Sequence, residues 1–233
     1  MRFATCFRAV MLVVGTLVIA GCPGDLTRPS PPSLQFMGNV AGAVGLGTIA
    51  ITVTSNPTQP GAASLSASAT VRVSSGFEVF DLTGTYDPSA HVLALSGSGW
   101  TARGTLSDGV LRGTFTATVG SGVFIALGQG EGAEAVRTFC GDGFICSPNW
   151  VFRAALGVRG ASVVGVAYSR ALPDTLITFV GSYSTTDSSL LLVDPANPTG
   201  PPLATGRLWT NANGTHADAR FLNACFWAGS SCR

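Results

Sequence analysis

The chain has 233 residues, is 46% hydrophobic and only 11% charged, and carries a formal net charge of +1. That length and apolar content allow one large domain or two small ones with a sizeable core. The sparse, balanced charge excludes a nucleic-acid-binding surface, which needs clustered cations against phosphate. All thirteen basic residues are arginine, so a Walker lysine, a Schiff-base lysine and a Ser-Lys dyad are excluded with them.

Residues 1–21 read as a targeting segment. Arg2 and Arg8 give a positive start, and Ala9 to Ala20 form an apolar run too short to span a bilayer comfortably. The run ends in Ile19-Ala20-Gly21-Cys22. This segment resembles a bacterial lipoprotein precursor, whose lipobox ends in a cysteine that is acylated and becomes the first mature residue. The resemblance implies lipidation of Cys22, a membrane partner through that anchor, and residence in the cell envelope. Pro23 replaces the aspartate associated with inner-membrane retention in that class, which implies the outer membrane in a Gram-negative host. Residues 22–33, rich in proline, form a semi-rigid tether.

Residues 34–233 are expected to form a single all-β domain, an antiparallel meander closing into a β-barrel or β-sandwich of ten to thirteen strands. Ile49, Ile51 and Val53 alternate with Ala50, Thr52 and Thr54, and Leu65 to Val73 keep an almost perfect two-residue period. Val79 to Leu127 then reads as five strands with a turn after each. One face carries Phe80, Leu82, Gly84 and Tyr86, then Leu93 and Leu95, then Trp100, Ala102, Gly104 and Leu106. Beyond the Asp108-Gly109 hairpin signal, Leu111, Gly113, Phe115, Ala117 and Val119 are expected inward, and Val123, Ile125 and Leu127 make a fifth strand after the Gly120-Ser121-Gly122 turn. One dry and one wet face suit a barrel or sandwich. The inward glycines suggest coiling or the close approach of something bulky. With Gly99-Trp100-Thr101, the meander is similar in general architecture to lipocalin- and avidin-like barrels; that resemblance implies no binding residue.

Gly128 to Asn149 breaks the pattern, and Glu131 to Phe139 reads as a short helix. Strands resume at Val151 to Leu156, Val163 to Tyr168, Leu176 to Tyr183 and Ser189 to Val193. Leu203 to Thr210 and His216 to Ala224 close the chain. Leu82 to Leu95 and Phe179 to Leu192 echo one another, with Gly84, Tyr86, Leu93 and Leu95 matching Gly181, Tyr183, Leu190 and Leu192. Duplication and convergent hairpin chemistry both account for that echo.

Cys140, Cys146, Cys225 and Cys232 remain after the targeting segment, an even number that implies disulfides in an exported domain. The short loops favour Cys140–Cys146 and Cys225–Cys232, with pairing across the two loops as the competitor. Their spacing does not suit zinc, and no metal or other cofactor is expected. Gly-x-Gly-x-x-Ala occurs at Gly45, Gly97 and Gly128, but none follows a strand and opens a helix, so these are turn glycines. The two histidines, His91 and His216, fall at turns. No nucleophile–base pair is visible, so the chain does not read as an enzyme. Tyr86, Trp100 and Trp209 fall on expected inward faces and would line a ligand space in a barrel. The leading expectation is non-catalytic binding of a small apolar or amphipathic ligand. The alternative is a structural or interaction lipoprotein with a filled core, whose loops contact a protein or polysaccharide.

Overall fold

A computed structural model describes residues 33–54, 65–73, 78–129, 135–144, 152–169, 176–221 and 225–232. These are almost wholly β-strand. The first eight strands are β1 (Ser33–Gly42), β2 (Gly45–Thr54), β3 (Leu65–Val73), β4 (Glu78–Asp87), β5 (Val92–Gly97), β6 (Trp100–Ser107), β7 (Val110–Ala117) and β8 (Gly120–Gln129). The second eight are β9 (Arg137–Phe144), β10 (Phe152–Arg159), β11 (Ser162–Ser169), β12 (Leu176–Tyr183), β13 (Ser189–Val193), β14 (Ala204–Asn211), β15 (Gly214–Phe221) and β16 (Cys225–Ser231). Each set forms a closed, antiparallel, up-and-down barrel. The expected all-β antiparallel barrel is therefore present twice, both copies within one compact unit from Pro31 to Arg233.

Both barrels follow from short amphipathic strands joined by tight turns. Asp108 and Gly109 both have positive φ (52° and 75°), the geometry that lets an Asp-Gly pair close β6 onto β7. The outer wall of the first barrel is hydroxyl-rich. Thr52, Ser68, Thr83, Ser96, Thr101 and Thr116 stand in one register row across β2 to β7. Inside, Ile49, Ile51, Leu82, Leu93, Leu111 and Phe124 are almost fully buried.

The echoed hairpins are the fourth and fifth strands of their barrels. Gly84↔Leu95 and Tyr86↔Leu93 pair in the first, Gly181↔Leu192 and Tyr183↔Leu190 in the second. The turns place His91 and Ser188 at φ of 56° and 60°. The carbonyls of those two residues accept from the amides of Leu106 and Leu208, both at 2.9 Å. Gly84 and Gly181 each lie against a neighbouring backbone carbonyl, that of Ala94 or Leu191, where a Cβ would not fit. Agreement in strand position, register and turn backbone is what duplication of an eight-stranded unit would leave.

The barrels meet through a third apolar cluster. Ala41, Leu46, Ile125 and Leu127 of the first pack against Ala155, Val164, Val166 and Tyr168 of the second. Simple alternation does not carry through β8. On β8, Phe124 and Ala126 point into the barrel while Ile125 and Leu127 point at its neighbour. A strand buried on both faces loses its alternation and reads as a continuous apolar run. Val119, expected inward, lies in the β7–β8 turn and is 69% exposed.

Three strands exceed the expected ten to thirteen: β1, β9 and β16. In the described part of the stretch expected to be helical, Arg137 to Phe139 belong to β9, whose backbone bonds to β10 and β16. Glycines at 132, 141 and 143 weaken a helix there, and the pairing partners are distant in sequence.

Candidate functional site

The barrel interiors are a candidate binding site, and among the described residues large side chains occupy them. Phe124 lies across Gly104 and Gly113; a Cβ at those positions would come within 2.7 and 2.5 Å of its ring. Phe179 covers Gly165 in the second barrel, and Trp227 folds over Gly229. The inward glycines thus make room for the protein's own aromatic rings. Tyr86 and Trp100, expected to line a ligand space, are 3% and 4% exposed and belong to this packed core. The Tyr86 hydroxyl meets His91 Nδ1 at 3.3 Å. Burial, followed by the nearby Asp87 carboxylate, pushes the Tyr86 hydroxyl above its usual range.

Asp87, Ser89 and His91 have the residue types of a hydrolytic triad but not its wiring. The Asp87 carboxylate accepts from Ser89 N–H (2.8 Å), Ser89 O–H (2.6 Å) and Ala90 N–H (3.1 Å). Those bonds hold its carboxyl below the usual range. Ser89 therefore donates to a carboxylate rather than to an imidazole, and His91 faces a tyrosine. The cluster is an Asx-type turn, which closes β4 onto β5.

The first barrel opens at the end that carries the β1–β2, β5–β6 and β7–β8 turns. A cup of about 300 Å³ sits there, lined by Val44, Glu78, Phe80, Trp100, Ala117 and Val119 among others. Its floor is an aromatic stack. Trp100 lies between Phe80 (centroids 4.9 Å apart) and Phe115 (4.6 Å). The cup lies at the barrel end opposite Ser33, the first residue of β1. A second hollow of about 330 Å³ lies in the crease between the barrels, beside Val110, Leu127, Val180 and Pro198. Both volumes are at the small end for ligand sites.

Trp209 is not in a barrel interior. On β14, Ala204 and Leu208 are buried, which sets the phase, and Trp209 points outward at 39% exposure. Its ring stacks on His216, its cross-strand partner, with centroids 4.5 Å apart and planes at 21°. His216 Nε2 meets Asn211 Oδ1 at 3.1 Å. Asn211 Oδ1 also accepts the Asn213 N–H at 2.8 Å. One row along the wall, Arg207 Nε donates to Asp218 Oδ2 at 3.1 Å. The sequence signal for this exposed cluster was present in the phase of Ala204, Gly206 and Leu208; the size of the indole outweighed it.

The disulfide pairing also differs from the expectation. Cys140 bonds to Cys232, across 92 residues, not to Cys146. Register explains this: Cys140 of β9 lies opposite Ser230 of β16, two residues from Cys232. The closure of the second barrel brings the two cysteines together, and loop length has no part in it. Cys22 and Cys146 lie outside the described residues, as does the side chain of Cys225. Among the described residues no group of three or more His, Cys, Asp or Glu side chains is placed to hold a metal ion. Comparison of the chain with protein-family models, with curated proteins and with solved structures finds no match.

Proposed function

We propose that this chain is a lipid-anchored protein of the cell envelope, non-catalytic, whose two barrels are solid scaffolds and whose outer surface meets its partner. The anchor rests on the Ile19-Ala20-Gly21-Cys22 motif behind an apolar run, and two or three acyl chains on Cys22 would hold the chain firmly. The outer membrane is the proposed location, from Pro23. The hydroxyl row around β2 to β7 supports a barrel that stands in water, since a spanning barrel needs an apolar outer band.

The observation that carries the surface reading is the filling of both barrels. Phe124 on Gly104 and Gly113, Phe179 on Gly165 and Trp227 on Gly229 occupy the volume a small apolar ligand would need. Native against denaturing mass spectrometry of the full-length protein tests it. A bare native mass is expected, apart from the acyl chains that persist on denaturation. A bound molecule lost on denaturation would overturn the solid-barrel reading. In a Cys22→Ala variant, fractionation is expected to move the protein from the membrane to the soluble fraction.

A second reading, a small amphipathic ligand in the cup above Trp100, is favoured by the cup's aromatic floor and the single carboxylate of Glu78 on its wall. Ala117→Trp would fill that cup. It would abolish binding in the second reading and leave function intact in the first.

A further inference from the structure

We infer that the exposed face of β14 and β15 around Trp209 is a saccharide-binding platform, and that the partner of the surface proposed above is a neutral polysaccharide. The inference rests on that surface reading and goes beyond it by naming the partner's chemistry.

Trp209 is 39% exposed, whereas Trp100 and Trp227 are 4% and 0% exposed. Leaving a large aromatic surface in water has a cost, and such rings recur where a partner covers them. This ring is also held in place. His216 stacks against it, Asn211 fixes the imidazole through Nε2, and Asn211 is itself fixed by the Asn213 amide. A platform set before binding loses little side-chain freedom when a partner arrives.

The groups at its margin decide which partner fits. Asn211 offers an amide, Arg207 a guanidinium and Asp218 a carboxylate, all on the outward face of the same two strands. Arg207 and Asp218 pair at 3.1 Å, so their charges cancel locally. The patch is therefore a flat apolar ring bordered by donors and acceptors, its adjacent ion pair neutral and one further cation, Arg220, a row beyond that pair. A pyranose has the complementary form: an apolar C–H face that lies on an indole, and a rim of hydroxyls that both donate and accept. A phosphate-bearing lipid or nucleic acid would need excess positive charge instead. The platform lies on the barrel wall rather than in a pocket, which suits an extended chain of sugar units over a single enclosed one.

The test is affinity electrophoresis of the full-length protein through gels containing laminarin, dextran, xylan or chitin oligomers, in a detergent without a sugar headgroup. Retardation by at least one of these glycans is expected. Trp209→Ala should weaken it at least tenfold, Trp209→Phe should keep most of it, and Arg207→Ala should weaken it severalfold. Thermal melts of the Trp209 variants should match the parent protein, because the ring is outside both cores. Failure of every glycan to retard the protein would overturn the inference, as would retardation undiminished in Trp209→Ala. Loss of protein-partner capture in Trp209→Ala, with no glycan bound, would overturn it in favour of a protein ligand. In each of these cases a bare native mass leaves the solid-barrel reading standing, so the two can fail separately.

Discussion

The two barrels have the same strand number, the same up-and-down order and the same fourth hairpin, yet they are closed differently. The first is packed with branched and aromatic side chains spread around the wall, among them Ile49, Ile51, Leu82, Leu93, Leu111 and Phe124. Its seam between β1 and β8 runs from Gln35↔Gln129 to Gly42↔Gly122, and neither strand contains a cysteine. The second mixes Leu156, Val158, Leu190 and Leu192 with the rings of Phe139, Phe179 and Trp227, and each core includes five alanines. Its seam is shorter, from Phe226↔Phe144 to Ser231↔Phe139, and carries the Cys140–Cys232 bond. Eight strands enclose a roughly fixed volume. Both barrels fill it with branched and aromatic side chains and some alanine, and the second adds one covalent link to its closure.

The largest expected effect therefore falls on the link. Replacing Cys140 and Cys232 together by serine should cost about 4–5 kcal/mol, the loop-closure value for so long a loop, read by denaturant unfolding. Trp227→Ala should follow at about 4 kcal/mol. A loss well under 2 kcal/mol would show that the second core is not organised around its rings. Gly113→Ala and Gly165→Ala press on Phe124 and Phe179 respectively and on backbone carbonyls, and each should cost roughly 2–3 kcal/mol. If either is neutral, the glycines are there for sheet curvature and not for the rings.

A smaller effect of opposite sign is expected where the barrels meet. Asn39 of β1 is fully buried, its amide without a hydrogen-bond partner, and its Oδ1 faces Gly157 of β10. Asn39→Leu should raise stability by about 1 kcal/mol, since it removes an unsatisfied polar group from an apolar contact. Destabilisation would point to a buried water bound to that amide.

The smallest effect is in the matched turns. Hydroxyls of Ser184 and Ser189, with the Ser189 amide, hold the Asp187 carboxyl down to about 2, below the usual carboxylate range. A depressed carboxyl stabilises the fold above its unfolded pKa, and the contribution is lost as pH falls through the folded value. Acid titration between about pH 4 and pH 2 should thus loosen the β12–β13 turn. Asp187→Asn should flatten that pH dependence.

Much of the first barrel is legible in its residues. Strict alternation puts Leu82, Tyr86, Leu93, Leu95, Trp100 and Phe115 inside, where they lie. Alternation fails where a strand has two dry faces, as β8 does, and for β1, whose residues Phe36 to Gly42 are buried on both sides apart from the half-buried Met37. It also fails where glycine and cysteine replace branched residues, as in β9. The presence of a second barrel is not written in any local pattern, because closure is a long-range pairing of β9 with β16. The same pairing decides the disulfide, which loop length alone misassigns. For the candidate site, Trp209 is conspicuous in the sequence, but its direction is set by the phase of Ala204, Gly206 and Leu208 and not by its size.

Hydrogen exchange read by mass spectrometry on the Cys140→Ser/Cys232→Ser variant tests the central claim, that each barrel is a separately closed solid. The account predicts faster exchange in β9 and β16 first, with β3 to β7 of the first barrel protected as in the parent protein. Loss of protection in both barrels together, or none at the β9–β16 seam, would contradict it.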